Sequence, residues 1–142
     1  AILGIAAWVD SVGLGQIIVQ ELHAAVTFRP GEDFETFVSV ILIDTLIQFL
    51  ITAPGVAAVM VPISGSIAEA SGLPIATVLN MHAVGYSNYM LPYQMGPILI
   101  LGALCNVSNV VLTRMCLAVG LLGLLIGAPL SYLWWHFLGY LN

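Results

Sequence analysis

The chain has 142 residues, of which 61% are hydrophobic and only 6% charged, with a formal net charge of -5. A water-soluble domain of this length needs polar side chains over most of its helix exteriors, and two Lys or Arg and seven Asp or Glu residues do not supply them. Composition therefore excludes a soluble fold, favours a protein surrounded by the lipid bilayer, and excludes a basic nucleic-acid surface.

The N-terminal unit, residues 1–36, predicts an interrupted membrane or interfacial helix followed by a polar loop. Two short apolar runs with a polar break between them fill residues 1–19. The hydrophilic stretch 21–35 indicates a loop outside the membrane, with a helix starting near Asp33 so that acidic residues lie at the positive end of its dipole. The chain opens at Ala1 inside an apolar run without an initiator Met, so we expect it to be part of a larger protein.

The next unit, residues 37–73, predicts a re-entrant helical hairpin. Its arms, 38–51 and 56–70, are separated by Thr-Ala-Pro-Gly at 52–55, and the hairpin closes at the Ser-Gly-Leu-Pro sequence 71–74. The first arm has 14 residues and reaches about 21 Å as a helix at roughly 1.5 Å per residue, against a hydrocarbon core of about 30 Å. We therefore expect both arms to be too short to span the membrane.

A broken transmembrane helix is predicted over residues 74–105. Half helices at 75–85 and 97–104 flank an irregular polar and aromatic stretch, 86–96, and Pro97 suits the first turn of the second half. Non-helical backbone at membrane depth is tolerated only where protein or a water-filled cavity satisfies its polar groups. Paired, Gly/Pro-interrupted segments of this kind point to the binding site of a transporter.

The last unit, residues 106–142, predicts a C-terminal transmembrane helix. Residues 115–133 carry no formal charge, Arg114 precedes them, and an aromatic cluster typical of the membrane interface follows, comprising Trp134, Trp135, His136 and Tyr140. Cys105 and Cys116 lack the spacing of a metal site, and we expect both to be small buried residues. The fold class predicted from the whole chain is an all-α membrane protein.

Three motifs in order resemble those of the divalent anion:sodium symporter family. They are FLITAPGVAAVMVPI at 49–63 with IAEASGLP at 67–74, YMLPYQMGP at 89–97, and APLSYLWWHFLG at 128–139. The resemblance implies an inverted-repeat elevator transporter, usually a homodimer in the inner or plasma membrane, that moves dicarboxylates or sulfate with sodium. This chain would be its C-terminal repeat, and the N-terminal repeat would be missing.

The resemblance also implies positions for the substrate site. The family's Ser-Asn-Thr triplet at the hairpin tip aligns with Thr52, Ala53 and Pro54. Its Thr-Pro-Pro at the second break falls near Met95, Gly96 and Pro97. Ala53 lacks the carboxamide, and Pro54 lacks both the hydroxyl and a backbone donor. Contacts at this tip would therefore come mainly from the backbone.

Broken helices bind ions through their ends, because carbonyl ends coordinate cations and amide ends hold anions. We predict that Ser87, Asn88 and Gln94 contact the substrate at the second break. Sodium would bind mostly backbone carbonyls, and the predicted set is Thr52, Gly55, Tyr86 and Asn88. The alternatives are that Pro54 and Gly55 only turn the hairpin, and that the polar residues of the second break form a hydrogen-bond cluster between helices.

Asp44 and His82 are titratable residues within apolar sequence. An ionised carboxylate at mid-membrane costs about 2.5 to 3.5 kcal/mol on insertion scales, so Asp44 either carries a proton, pairs with a cation, or lies near the interface. We favour an interfacial or structural role for Asp44, and hydrogen-bonded packing beside Asn80 for His82. No nucleophile-base pair, phosphate loop or metal cluster appears in the sequence, so we do not predict an enzyme.

The sequence therefore predicts secondary active transport of a small divalent anion, a dicarboxylate or sulfate, coupled to sodium through elevator-type alternating access. Two alternatives stay open. One is a cation/proton antiporter of the same superfamily, in which Asp44 or His82 carries protons. The other is a truncated membrane subunit that does not transport.

Overall fold

The computed structural model describes residues 28–141, which are helical with no β-strand among them. The helices are α1 (Asp33–Gln48), α2 (Ala53–Met60), α3 (Ser64–Ser71), α4 (Ile75–Tyr86), α5 (Gly96–Leu104), α6 (Asn109–Leu122) and α7 (Ala128–Leu138). A 3₁₀ turn, Val61–Ile63, joins α2 to α3, and a second 3₁₀ turn, Pro92–Gln94, precedes α5. A π-helical segment, Gly123–Gly127, joins α6 to α7. The interrupted helix predicted over residues 1–19 lies outside the described residues.

Helices α1, α2 and α3 form a helical hairpin. Helix α1 begins at Asp33 with Asp33 and Glu35 in its first turn, as predicted. Helix α3 ends at Gly72, whose φ of 74° is the left-handed conformation of a helix stop, also as predicted. A Cβ built on Gly72 would lie 3.6 Å from the Cβ of Pro30, so the two ends of the hairpin lie together.

The turn of the hairpin lies three residues earlier than the sequence predicts. It occupies residues 49–52, whereas Ala53, Pro54 and Gly55 form the first turn of α2. Proline suits this position because its φ is already helical and its missing N–H would have no helical acceptor. The second arm, Ala53–Ser71, consequently has 19 residues and is long and apolar enough to cross a membrane, so the prediction that both arms are too short is wrong for this arm.

The broken helix follows the prediction closely. Helix α4 ends at Tyr86, an irregular stretch follows it, and α5 begins at Gly96 with Pro97 in its first turn. Helix α4 packs most extensively against α1. The two helices run parallel, because Asp44 contacts His82 and, one turn further along both helices, Gln48 contacts Tyr86.

The long C-terminal helix, Asn109–Leu138, has 30 residues and begins before the uncharged run 115–133. It runs antiparallel to α1 and α4. Near its end, the ring of Trp135 lies 5.7 Å from that of Phe37 in α1, whereas its middle, at Gly120 and Gly123, lies against the break after α4. Among the described residues, the long C-terminal helix and Ala53–Ser71 are both long and apolar enough to cross a membrane, which supports the prediction of a membrane protein.

The hydrophobic core lies among α1, α2, α3 and α4, with Val40, Val56, Met60, Val78 and Met81 fully buried. The long C-terminal helix instead exposes most of its apolar side chains, and only 11% of its most apolar stretch is buried. Exposed apolar surface of this extent is expected where lipid or another protein covers a helix. Cys116 is buried as predicted, but Cys105 is exposed in the turn that follows α5, so the prediction of burial is wrong for Cys105.

Candidate functional site

The hairpin turn and the break after α4 lie side by side. Gln94 Nε2 donates to the carbonyl of Gln48, 2.8 Å away, and the Tyr93 hydroxyl donates to the carbonyl of Phe49. A cavity of about 340 Å³ lies between the two breaks. Its lining residues are Ala53, Pro54, Ala57, Tyr86, Ser87, Tyr89 and Met95.

Gln94 and Gln48 hold the two breaks together. The Gln94 side-chain oxygen accepts from the amides of Met90 and Leu91, at 2.6 and 2.7 Å, and fixes the loop that contains it. Gln48 Nε2 donates to the Tyr86 carbonyl at the end of α4, 2.6 Å away. Both glutamines are almost completely buried, so these hydrogen bonds replace those that the interrupted helices cannot make.

Ser87 and Asn88 cap the end of α4 with their own side chains. The Ser87 hydroxyl donates to the Ala83 carbonyl, and Asn88 Nδ2 donates to the Val84 carbonyl, 2.8 Å away. The Asn88 side-chain oxygen points toward Gly123, where an added Cβ would lie only 2.2 Å from it. Glycine at this position therefore lets the break approach the π-helical segment of the long helix.

The amide ends of α2 and α5 are not capped in this way. Thr52 and Met95 precede these helices with extended backbones, and neither side chain accepts a hydrogen bond from the first turn. In the part of the chain that the structure describes, the amides of Ala53, Gly55 and Gly96 have no hydrogen-bond acceptor. Side-chain donors thus pair the carbonyls of Gln48, Phe49 and Tyr86 at the breaks, whereas the helix starts leave amide donors free, and free amides favour an anion.

No protein-family model, curated protein or solved structure matches this chain. The resemblance to the symporter family stays a prediction from the sequence.

The predicted substrate residues divide into three groups in the structure. Ala53, Pro54 and Ser87 line the cavity together. Thr52 immediately precedes α2, and Gly96 and Pro97 form the first turn of α5 behind Met95, which lines the cavity. Asn88 and Gln94 are buried and make the hydrogen bonds that stabilise the break, the arrangement expected of a cluster between helices.

The predicted sodium ligands are also dispersed. Tyr86 lines the cavity, but its carbonyl already accepts a hydrogen bond from Gln48. Gly55 lies in the first turn of α2, where its amide and not its carbonyl is unpartnered. No group of three or more His, Cys, Asp or Glu side chains suited to a metal ion occurs among residues 28–141.

Of the two roles favoured for Asp44, interfacial or structural, the structure fits the structural one. Its side chain is completely buried between α1 and α4, where Asp44 Oδ2 lies 2.8 Å from Nδ1 of His82. His82 is buried and hydrogen-bonded as predicted, but its partner is Asp44, while Asn80 is exposed. A buried partner offsets part of the desolvation cost that made an interfacial position attractive.

Sequence reasoning missed Gln48, which joins the two breaks. A signal for it does exist: Asp44 and Gln48 are four residues apart, as are His82 and Tyr86, so each pair lies on one face of its helix. Polar residues at this spacing within apolar helices indicate two faces that meet. The spacing alone does not show which helix each face contacts.

Gly85 provides the space in which Asp44 meets α4. A Cβ at this position would lie 2.6 Å from Asp44 Oδ2 and 2.7 Å from Asp44 Cβ, so Gly85→Ala must push α1 away from α4. We expect Gly85→Ala to lower the free energy of unfolding by about 1–3 kcal/mol, the usual cost of overpacking. Thermal unfolding of the purified protein in detergent measures this loss.

Gly65→Ala is the matched control, because an added Cβ there has nothing within 4 Å and the residue is helical. It should leave the stability unchanged or raise it slightly. Equal stability of the two variants would contradict the close packing of Asp44 on Gly85.

Proposed function

We propose that this chain forms the substrate-binding half of a secondary active transporter, and that a small anion binds in the cavity between the hairpin turn and the break after α4. The single observation that carries the proposal is the pairing of this cavity with two uncapped helix N-termini, at Ala53 and Gly96. Free amides and the positive ends of two helix dipoles favour negative charge.

The depth of the cavity supports transport. The long C-terminal helix has 30 residues and is about 45 Å long at roughly 1.5 Å per residue, enough to cross a hydrocarbon core of about 30 Å. The break after α4 contacts this helix at Gly120 and Gly123, near its middle. If the long helix spans the bilayer, the cavity lies near the bilayer midplane, where transporters hold their substrates.

The same geometry makes the hairpin re-entrant in this proposal. Its two ends lie together at Pro30 and Gly72, and its turn reaches the level of the break. The arms would enter and leave on one side with the turn at mid-membrane, so Ala53–Ser71, although long enough to cross the bilayer, would not span it. A dicarboxylate or sulfate is the substrate class favoured by the motif resemblance, and the cavity presents no carboxylate that would repel it.

Anion transport is favoured over cation/proton antiport at this cavity because of which backbone groups at the helix ends already have hydrogen-bond partners. The carbonyls of Gln48, Phe49 and Tyr86 already accept hydrogen bonds from side chains of the neighbouring break. A cation at these three carbonyls would have to compete with those donors, whereas an anion at the starts of α2 and α5 meets free amides. Sodium as the coupling ion, a homodimer and an N-terminal repeat remain parts of the proposal taken from the resemblance.

Uptake by proteoliposomes tests this function. The full-length protein containing this chain is reconstituted, and uptake of radiolabelled succinate and sulfate is measured with imposed sodium and pH gradients. We expect uptake of at least one of these anions above that of protein-free liposomes. No uptake of either anion under any gradient, by protein that elutes as a single folded species, would contradict the proposal.

A further inference from the structure

A buried pair of titratable side chains, Asp44 and His82, lies one helical turn from the cavity, and anion binding as proposed above does not use it. Asp44 Oδ2 and His82 Nδ1 are 2.8 Å apart, and the two side chains are 0% and 1% exposed. Fully buried titratable groups are costly and need a reason to be present.

The charge of this pair is set by its own protons. Among the described residues, no Lys or Arg forms an ion pair with Asp44, and Arg29 instead pairs with Glu32. With one proton shared between carboxyl and imidazole, the pair is neutral overall; without it the charge is -1, and with a second proton it is +1. A buried charge without a further partner is costly in either charged form.

The surrounding helices add few other titratable groups. Helix α2, which packs against both α1 and α4, carries none. Helix α4 carries one other titratable residue, Tyr86, and α3 carries Glu69, which is exposed. Helix α7 carries Tyr132 and His136, beside the far end of α1. None of these forms an ion pair with Asp44 or His82.

Three polar atoms at this site have unused hydrogen-bonding capacity. Asp44 Oδ1, His82 Nε2 and Gln48 Oε1 are all buried and have no partner in the part of the chain that the structure describes. Such atoms are rare in native proteins, because each one left unpaired costs about 1–3 kcal/mol. Proton exchange accounts for the atoms of Asp44 and His82, because a titrating group alternates between donor and acceptor, whereas Gln48 Oε1 is an acceptor in every state.

The pair is connected to the cavity through Gln48 and Tyr86. Gln48 lies one turn after Asp44 on α1, and its amide donates to the carbonyl of Tyr86, which lies one turn after His82 on α4. Tyr86 lines the cavity, and the Gln48 carbonyl accepts from Gln94 in the loop. A change in the contact between α1 and α4 at Asp44 therefore reaches the helix ends that bound the cavity.

We propose that Asp44 and His82 together bind a proton that is coupled to the transport of the anion, a step that rests on the proposed function. The proton comes from water on one side of the membrane, is held between the carboxyl and the imidazole while the site is closed, and returns to water on the other side. No bond other than those to the proton is made or broken. The proton neutralises one negative charge of the complex that crosses the bilayer.

Infrared difference spectroscopy tests proton binding without requiring transport. Spectra of the purified full-length protein in lipid nanodiscs are compared between acidic and alkaline buffers for the wild type, Asp44→Asn and His82→Gln. We expect carboxyl and imidazole bands in the wild type that both variants lose and that the control Glu69→Gln, altered at an exposed carboxylate, retains. Bands that persist in Asp44→Asn, or their absence from the wild type, would overturn the proposal.

Two features keep this experiment decisive. Asp44→Asn preserves the size of the side chain and a hydrogen-bond acceptor for His82, and His82→Gln alters the other partner, so a variant that fails to fold leaves the second one to judge. Circular dichroism and a single elution peak establish folding of each variant. Only bands lost in a folded variant count as support.

Uptake measurements distinguish a failure of proton coupling from a failure of the proposed anion transport. With a pH gradient and equal sodium on both sides of the membrane, we expect uptake of succinate or sulfate by the wild type and at least about a tenfold loss in Asp44→Asn. Uptake driven by sodium alone and unaffected by pH would overturn proton coupling and leave the proposed function intact. No uptake under either gradient would refute the proposed function itself.

Discussion

Ser87→Asp is expected to raise the KM for anion uptake at least about fivefold. Ser87 lines the cavity, and among the described residues its side chain hydrogen-bonds only to the Ala83 carbonyl of the helix it follows, so the substitution adds charge with little effect on packing. Two like charges about 4 Å apart repel by about 1 kcal/mol in bulk water and by about 4 kcal/mol near a protein surface. The smaller of these energies already corresponds to a change of about fivefold in affinity.

Ser87→Asn is the control for this prediction, because it has nearly the same size as Asp and no charge. It should retain a KM close to that of the wild type. Uptake of radiolabelled succinate and sulfate by proteoliposomes measures both variants. A KM raised equally by Asn and Asp would attribute the effect to size, and a KM lowered by Asp would favour a cation as the solute of the cavity.

Gln94→Leu is expected to cause the largest loss of stability, about 3 kcal/mol or more. The substitution removes the acceptor of two backbone amides, at Met90 and Leu91, and the donor to the Gln48 carbonyl. Gln94 is 1% exposed, so water cannot readily replace these partners. Each buried polar group left unpaired costs about 1–3 kcal/mol.

Tyr93→Phe provides the comparison for Gln94→Leu. It removes a single hydrogen bond, from an exposed hydroxyl to the Phe49 carbonyl, and should cost no more than about 1.5 kcal/mol. Thermal unfolding of both purified proteins in detergent measures the difference. If the two variants were equally stable, Gln94 would not hold the breaks together in the way the hydrogen bonds indicate.

The helix breaks were predictable from the sequence because they depend on local chemistry. Gly72 adopts the left-handed conformation of a helix stop, and Pro97 starts a helix, both effects of single residues on their own backbone. The sequence predicts the hairpin turn three residues too late, because proline is found both after the end of a helix and in the first turn of one, and Pro54 lies in the first turn of α2.

The partners of the buried polar residues were not predictable in the same way. Asp44 and His82 are 38 residues apart, and so are Gln48 and Tyr86, so their contacts depend on how α1 packs on α4. The sequence predicts that Gln94 contacts the substrate, whereas in the structure its side chain makes three hydrogen bonds to the backbone and stabilises the break. A single sequence shows that a buried amide needs partners but not which partners it finds.

The cavity between the two breaks is tested most directly by labelling of a cysteine placed in it. Ala57 lines the cavity and is changed to Cys, and Asn109→Cys at the exposed start of α6 is the control, both in a protein without Cys105, Cys116 or other cysteines. We predict that a membrane-impermeant thiol reagent labels Ala57→Cys, that succinate or sulfate slows this labelling, and that neither anion changes the labelling of Asn109→Cys. Labelling of Ala57→Cys at the same rate with and without saturating anion, or no labelling from either side of the membrane, would contradict an anion site between the breaks.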